Sequence, residues 1–360
     1  LWLAPAYDRR LTALSMSVAA AATGLSMVAA GLAAGPLVFF LAMILVGLCS
    51  GTLDIVTNAR ISELEARHRA PLMNANHAMF SVAYAIGAVA TGLAREAGLT
   101  PPAIFAGVAV VVLVLSAAMR MEPERAAEAG AQPAGLPGGA VLLCGGIVLV
   151  AFFVEAVVES WSALHVERTL GGGAAQGATG PAILGLTMAA GRFAGQAAAG
   201  RFTDAAIITG GSAMACAGAI LAAVAPVPLA AYAGFGMMGL GMSVVGPMAL
   251  ALTGRIVPPS RRTAALARVN VMGFGAFLLA PVVMGQVSDA YGLRIAFAVV
   301  GALALLAPVL ALVLKNRIVH ERTQDCCALP GDVALAYGFT GPCLRASGVP
   351  YDLRKDSPYY

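Results

Sequence analysis

Apolar residues along this chain do not alternate with polar ones; they run together over long stretches and are then cut by short clusters of Arg, Asp, Glu or Pro. An α-helix needs about 20 predominantly apolar residues to cross the hydrocarbon core of a bilayer. Ten stretches meet that length: 11–33, 36–57, 75–94, 101–120, 138–163, 179–200, 206–225, 228–252, 266–287 and 292–314. A membrane β-barrel would show short segments of alternating polarity instead. The pattern therefore predicts an all-α polytopic membrane protein, a bundle of about 10 transmembrane helices. Its longest polar interruption, Glu122 to Pro137, divides four spans from six.

Charge placement tests that spacing, because loops on the cytoplasmic side of a membrane protein carry an excess of Lys and Arg. With the first residues on that side, its loops and span ends hold Arg9, Arg10, Arg60, Arg67, Arg69, Arg120, Arg125, Arg192, Arg201, Arg255, Arg261, Arg262, Arg268, Lys315 and Arg317. The opposite side holds Arg95, Arg168 and Arg294. One span more or fewer would scramble this fifteen-to-three asymmetry, so both ends of the chain are expected in the cytoplasm. Composition agrees: 59% of residues are hydrophobic, 11% are charged and the mean hydropathy is +0.84, where a soluble domain carries about 25% charged residues. Cys49, Cys144, Cys216, Cys326, Cys327 and Cys343 contain no C-x-x-C pair, and the first three read as small hydrophobes in apolar helices. Neither a disulfide framework nor a metal site is expected. The chain begins at Leu1 without Met or a basic-then-apolar leader, which reads as a truncated start rather than a signal peptide.

Ionisable side chains inside a span are expensive and mark pathways or relays by default. Asp54 and Asn58 lie one helical turn apart near the end of the second span. They form either a proton or solute site facing a cavity or an end-of-helix carboxylate paired with a loop base such as Arg60. Glu155 and Glu159 are again one turn apart, with Trp161 close behind. Burying two carboxylates at that spacing disfavours double ionisation, so proton exchange at ordinary pH is expected. Alternatively Glu159 and Trp161 sit at the outer interface, Trp161 as an aromatic-belt residue. His77, beside Asn74 and Asn76, is either a relay or a hydrogen-bonding helix contact. Asn270 and Gln286 read as interhelical glue. The Glu63, Glu65, Arg67, His68, Arg69 cluster reads as a solvated loop, and Gly171-Gly-Gly as a flexible outer loop without the lysine of a phosphate loop. No nucleophile elbow, nucleotide fingerprint or nucleic-acid-binding pattern stands out, so neither an enzyme nor a cofactor is expected.

The sixth span ends in Gly191-Arg-Phe-Ala-Gly-Gln-Ala-Ala-Ala-Gly-Arg-Phe-Thr-Asp. Gly191, Gly195 and Ala199 recur every fourth residue, where small residues let a neighbouring helix approach closely in lipid. Gly200 precedes Arg201 and Asp204, which can pair where the helix meets water. With Arg192, this pattern resembles the signature of the major facilitator superfamily in the loop between family helices eight and nine. Members usually follow the Asp with a basic run, whereas Ala205, Ala206 and Ile207 follow here, which would weaken a charged gate. Three further stretches look like a bacterial subgroup of that superfamily: Gly51-Thr-Leu-Asp-Ile-Val-Thr-Asn-Ala, Leu72-Met-Asn-Ala-Asn-His-Ala-Met-Phe-Ser and Glu155-Ala-Val-Val-Glu-Ser-Trp-Ser-Ala.

The resemblance covers about residues 1–313. Twelve helices in two halves of six are usual, so it implies that residues 1–121 are an N-terminal half lacking the first two family helices. Asp8-Arg9-Arg10 would then remain from the family's loop 2–3 signature. Residues 122–137 would be the cytoplasmic linker and residues 138–314 the C-terminal six-helix half. It further implies a monomeric secondary transporter in the bacterial cytoplasmic membrane. Such a protein moves a small solute by alternating access, here with protons as the energy source, since membrane carboxylates are present and no ATP-binding motif is. A chain without helices that line the cavity would transport poorly.

Beyond about Val313 the sequence changes character. Lys315-Asn-Arg-Ile-Val-His-Glu-Arg-Thr, and then the run from Ala334 through Tyr351-Asp-Leu-Arg-Lys, are similar to part of the 49-kDa, or D, subunit of NADH-quinone oxidoreductase. Residues 315–360 thus resemble a fragment of a respiratory subunit joined to a transporter. Without the rest of that subunit the tail should be loosely docked and confer no redox chemistry. The alternative reading of the whole chain is a fragment or fusion related to that subunit, without independent activity.

Overall fold

The computed structural model describes residues 14–68, 72–119, 138–198, 201–257 and 262–327. Its elements are helices: α1 Ser15–Gly31, α2 Pro36–His68, α3 Leu72–Glu96, α4 Pro101–Ser116, α5 Gly138–Leu164, α6 Ala174–Ala198, α7 Asp204–Val224, α8 Pro228–Ile256, α9 Arg262–Ala304 and α10 Leu306–Cys327. A π turn, His165–Thr169, prolongs α5. Among the described residues the stretches Pro36–Asn58, Gly138–Thr169, Asp204–Val224, Pro228–Ile256 and Ala265–Arg317 are long and apolar enough to cross a membrane; α1 and α4 are apolar but shorter.

Helix ends follow local chemistry. α4 and α8 each open on a proline, in the first turn where its missing N–H is not needed. Thr203 caps α7, its Oγ1 accepting from the Ala206 N–H at 3.2 Å. The ninth and tenth expected spans meet at Gly292, whose φ of 83° and ψ of 163° interrupt α9 and suit a residue without a Cβ. The expected span 292–314 is itself broken at Leu305. There Pro308 lacks the N–H that would bond to the Ala304 carbonyl four residues back.

Two expectations need correction. The cluster from Glu63 to His68 is not a loop but the last turns of α2, a stretch of Ile61, Leu64, Glu and Ala residues with good helix propensity. The junction at Val313 is not a structural break, since α10 runs on through Lys315 to Cys327. Arg317 lies over Gly139 in the first turn of α5. Residues 328–360, the bulk of the respiratory-like tail, lie outside the described residues.

α5 is the axis of the packing, lying against α6, α8, α9 and α10. Ile147, Val148, Val154 and Val157 on it are sealed from solvent, as are Phe235, Met238, Met284 and Phe297 on its neighbours. α2 is the opposite case, with only 6% of its most apolar window buried and Leu37, Phe40 and Leu48 pointing outward. Such a surface is ordinary where lipid is the solvent. Small residues set the close contacts. Gly218 and Gly234 face each other across α7 and α8, each backbone lying 2.5 Å from where the other's Cβ would be, and Gly211 meets Gly241 in the same way. α1 packs on α2 and α4, while α3 lies along α6. In that contact Gly92 faces Ala174 and Ala178, and Gly185 faces Ser81 and Tyr84.

Candidate functional site

Three helices bring polar side chains to one point. Arg192 of α6 places Nη2 3.9 Å from Glu155 Oε1 of α5, an ion pair too long for a direct hydrogen bond. Its Nη1 donates to Ser81 Oγ of α3 at 3.3 Å. Measured from the turn that joins α5 to α6, Glu155 lies about 21 Å down α5 and Arg192 about 27 Å down α6. Side chains tilt toward a helix's own N-terminus, so Arg192 reaches back up toward Glu155. The three residues thus meet between helices, away from the α5–α6 turn. Glu159, one turn beyond Glu155, and Tyr84, one turn beyond Ser81, are within electrostatic range of the pair.

The apolar flanks make this cluster unusual. Val154, Ala156, Val157 and Val158 around Glu155 are almost wholly buried, yet the Glu155 side chain retains 17% exposure and Arg192 29%. The carboxylates therefore face a cleft between α3, α5 and α6 rather than the core behind α5. An isolated charge there would carry a large desolvation cost, which pairing offsets. The sequence places no Lys or Arg near Glu155 along its own helix, and the neutralising cation comes from the next helix.

The other expected residues are dispersed. Asp54 is exposed and accepts from Asn58 Nδ2 at 3.0 Å, the two being one turn apart. Neither contacts the Arg192 cluster among the described residues. Asn270 donates one amide hydrogen to the Leu266 carbonyl within its own helix, at 3.1 Å. Trp161 is half-buried against the core rather than fully outside. His77 lies on α3 with its side chain outside the described residues, as do the side-chain face of Gly195 on α6 and the whole of Gly200. Gly191 does lie at a close approach, with a would-be Cβ 3.0 Å from Ser243 Cβ of α8 and 3.1 Å from the Leu240 carbonyl.

The expected Arg201–Asp204 pair is replaced. Asp204, in the first turn of α7, pairs with Arg255 in the last turn of α8, and Arg201 is exposed. The glycine contacts hold α7 and α8 side by side, and each charge also suits its own helix end.

At the opposite end of the bundle Arg95, at the close of α3, makes a two-pronged contact with Glu167 in the π turn, Nη1 to Oε1 at 2.8 Å and Nη2 to Oε2 at 3.0 Å. Beside it Glu96 Oε2 accepts from the Ala175 N–H at the start of α6, at 3.1 Å. Sequence reasoning missed this pair, and it missed His165. That imidazole is fully buried, with Nε2 3.0 Å from the Ala222 carbonyl and its ring 4.9 Å from Phe297. Arg294 donates to the Ala223 and Ala225 carbonyls at 2.9 and 2.8 Å and so caps α7. Nothing along the chain links these residues; only the packing does.

A family model described as the Major Facilitator Superfamily matches residues 143–325, half the chain, including α5 with Glu155 and α6 with Arg192. The chain belongs to the major facilitator superfamily. It is 30% identical to an uncharacterised transporter of Sinorhizobium fredii, over 81% of this chain and 78% of that protein. It is 27% identical to an uncharacterised MFS-type transporter of Yersinia pestis, over 75% and 71%. Among solved structures it shares the fold of a bacterial homologue of the human lysosomal transporter Spinster, with a TM-score of 0.65, 17% identity and coverage of 87% and 84%. The E. coli fucose:proton symporter follows at 0.54, 14% identity, and 84% and 82%. A second model, the 49 Kd subunit of respiratory-chain NADH dehydrogenase, matches residues 297–360. Over 48 residues the chain is 54% identical to the corresponding NADH-quinone oxidoreductase subunit of Leptospira biflexa, spanning 12% of that protein. This major facilitator protein is thus a multi-pass membrane transporter whose C-terminal segment resembles a small part of a respiratory subunit.

Proposed function

We propose that this transporter moves a small solute by proton-coupled alternating access, with Glu155 as the residue that takes and releases the proton. The observation that carries the reading is the Glu155–Arg192 ion pair, held inside the bundle at 3.9 Å and open to the cleft between α3, α5 and α6. A carboxylate there exchanges its partner rather than its solvent when it gains a proton, so protonation is tied to a rearrangement between helices. The Arg95–Glu167 and Glu96–Ala175 contacts close the far end of the same cleft, as one state of an alternating-access cycle requires. The residue-122–137 linker and both chain ends lie on the cytoplasmic side of a bacterial inner membrane, with four spans before the linker and six after it. Residues 315–360 add no redox function. The functional unit is a monomer.

The test uses vesicles loaded with a pH dye. Candidate solutes are added from outside, and proton movement is read as the solute enters. Glu155→Gln keeps shape and hydrogen bonding but cannot titrate. It is expected to lose solute-driven proton movement while equal-concentration solute exchange persists. Unchanged proton movement in Glu155→Gln vesicles would refute the assignment and make Asp54 the next residue to replace.

A further inference from the structure

We propose that Arg192 is the receptor for an anionic group of the solute, a carboxylate by its match to a guanidinium fork, and that a proton on Glu155 is what releases Arg192 to bind it. This inference rests on the proton-coupled transport proposed above. Arg192 has five N–H donors in a rigid plane. One of them reaches Ser81 Oγ, at a long 3.3 Å, and Glu155 stands at 3.9 Å, within ion-pair but outside hydrogen-bond range. A guanidinium so loosely held and 29% exposed to a cleft has room for a better acceptor. A carboxylate accepting two parallel N–H bonds is the acceptor its geometry fits best.

The neighbouring charges decide when that acceptor can enter. α6 carries no ionisable residue other than Arg192, and α3 carries only Tyr84 between His77 and Arg95. α8 has no charged or His residue from Pro228 to Gly254, α9 none between Arg268 and Asp289, and α10 none before Lys315. Among the described residues, Glu155 therefore faces Glu159, Tyr84 and Arg192. With both carboxylates ionised the cluster is net negative and repels an incoming anion. One proton on Glu155 removes its hold on Arg192, and the solute carboxylate then takes that place. The proton enters with the anion, the local charge is the same before and after, and transport of a monoanion is electroneutral. A cationic solute would meet the guanidinium in the same cleft and would leave the Arg192–Glu155 pair without a role.

Binding is read from fluorescence of Trp161, which neighbours Glu159 on α5, in a Trp2→Phe background that removes the chain's other tryptophan. The purified full chain is titrated with sodium acetate, lactate, succinate and benzoate, and with glucose and ethylammonium chloride as controls, at mildly acidic and mildly alkaline pH. At least one of the four carboxylates is expected to bind saturably, about tenfold tighter at the acidic pH. Glu155→Gln should bind it at alkaline pH as tightly as the parent does at acidic pH, with no further pH dependence. Arg192→Lys should weaken binding by about tenfold to a hundredfold, since charged hydrogen bonds are lost. The Arg192→Gln, Glu155→Gln double variant, which leaves neither partner unpaired, should fold and lose binding. Failure of all four carboxylates to bind overturns the proposal. So does binding that survives in the double variant, or a Glu155→Gln pH profile like the parent's. If carboxylate binding follows the expected pattern but vesicles take up none of it, the transport reading fails and the receptor stands.

Discussion

Cutting the contact between Arg95 and Glu167 should open the end of the bundle that it closes. The guanidinium makes both of its hydrogen bonds to one carboxylate, and those bonds to Glu167 raise the Arg95 pKa further above its already high ordinary range, so it stays charged at any working pH. Arg95 is 45% exposed and Glu167 22%, which places the pair among surface ion pairs worth about 1 kcal/mol even with good geometry. Loss of that much favours the open arrangement about fivefold. The neighbouring Glu96 carboxylate, bonded to the Ala175 N–H, is worth about another 1 kcal/mol. Opening is read at Ala178→Cys, a buried position that packs against Gly92 beneath the latch, by its labelling rate with a membrane-impermeant maleimide. Arg95→Ala and Glu167→Ala should each raise the rate about fivefold, Glu96→Ala, which removes the acceptor for the Ala175 N–H, should add to either, and the exchanged pair Arg95→Glu, Glu167→Arg should return it toward the parent. If neither single variant changes the rate, the contact is a surface ornament and does not hold the two helices closed.

Gly218→Ala should destabilise the chain by about 1–3 kcal/mol, because its new Cβ would meet the Gly234 carbonyl and the Met238 N–H, backbone atoms that cannot rotate away; a melting temperature in detergent equal to the parent's would show that α7 and α8 separate freely. Gly210→Ala, where no neighbouring atom lies near the added Cβ, is the matched control and should melt as the parent does. Single cysteines introduced in the 122–137 linker should react with maleimide only from the cytoplasmic side, and labelling from outside would invert the proposed orientation.

Much of the fold was legible in the linear chain because a bilayer selects residues by length and polarity, and both are local properties. Each helix among the described residues overlaps an expected span, and the prolines at 101 and 228, Thr203 and Gly292 mark their ends by local chemistry alone. The superfamily was legible for the same reason, since its motifs are short and contiguous. α2 ran past its expected end because charged residues do not stop a helix; they only bring it out of the lipid.

Partners were another matter. The sequence located Glu155 and its turn-mate Glu159, but its neutralising cation lies on α6, 37 residues away. Asp204 took Arg255, 51 residues on, instead of Arg201, three residues back, and Arg95 took Glu167 at a separation of 72. His165 gained its carbonyl and its aromatic walls from α7, α8 and α9. Hydrophobic periodicity states that a side chain is in a helix and how deep it sits. It carries no information on which helix lies alongside, at what height and with which face. Those depend on small-residue contacts such as Gly185 with Ser81 and Gly218 with Gly234, which bring the backbones close enough for one charge to find another.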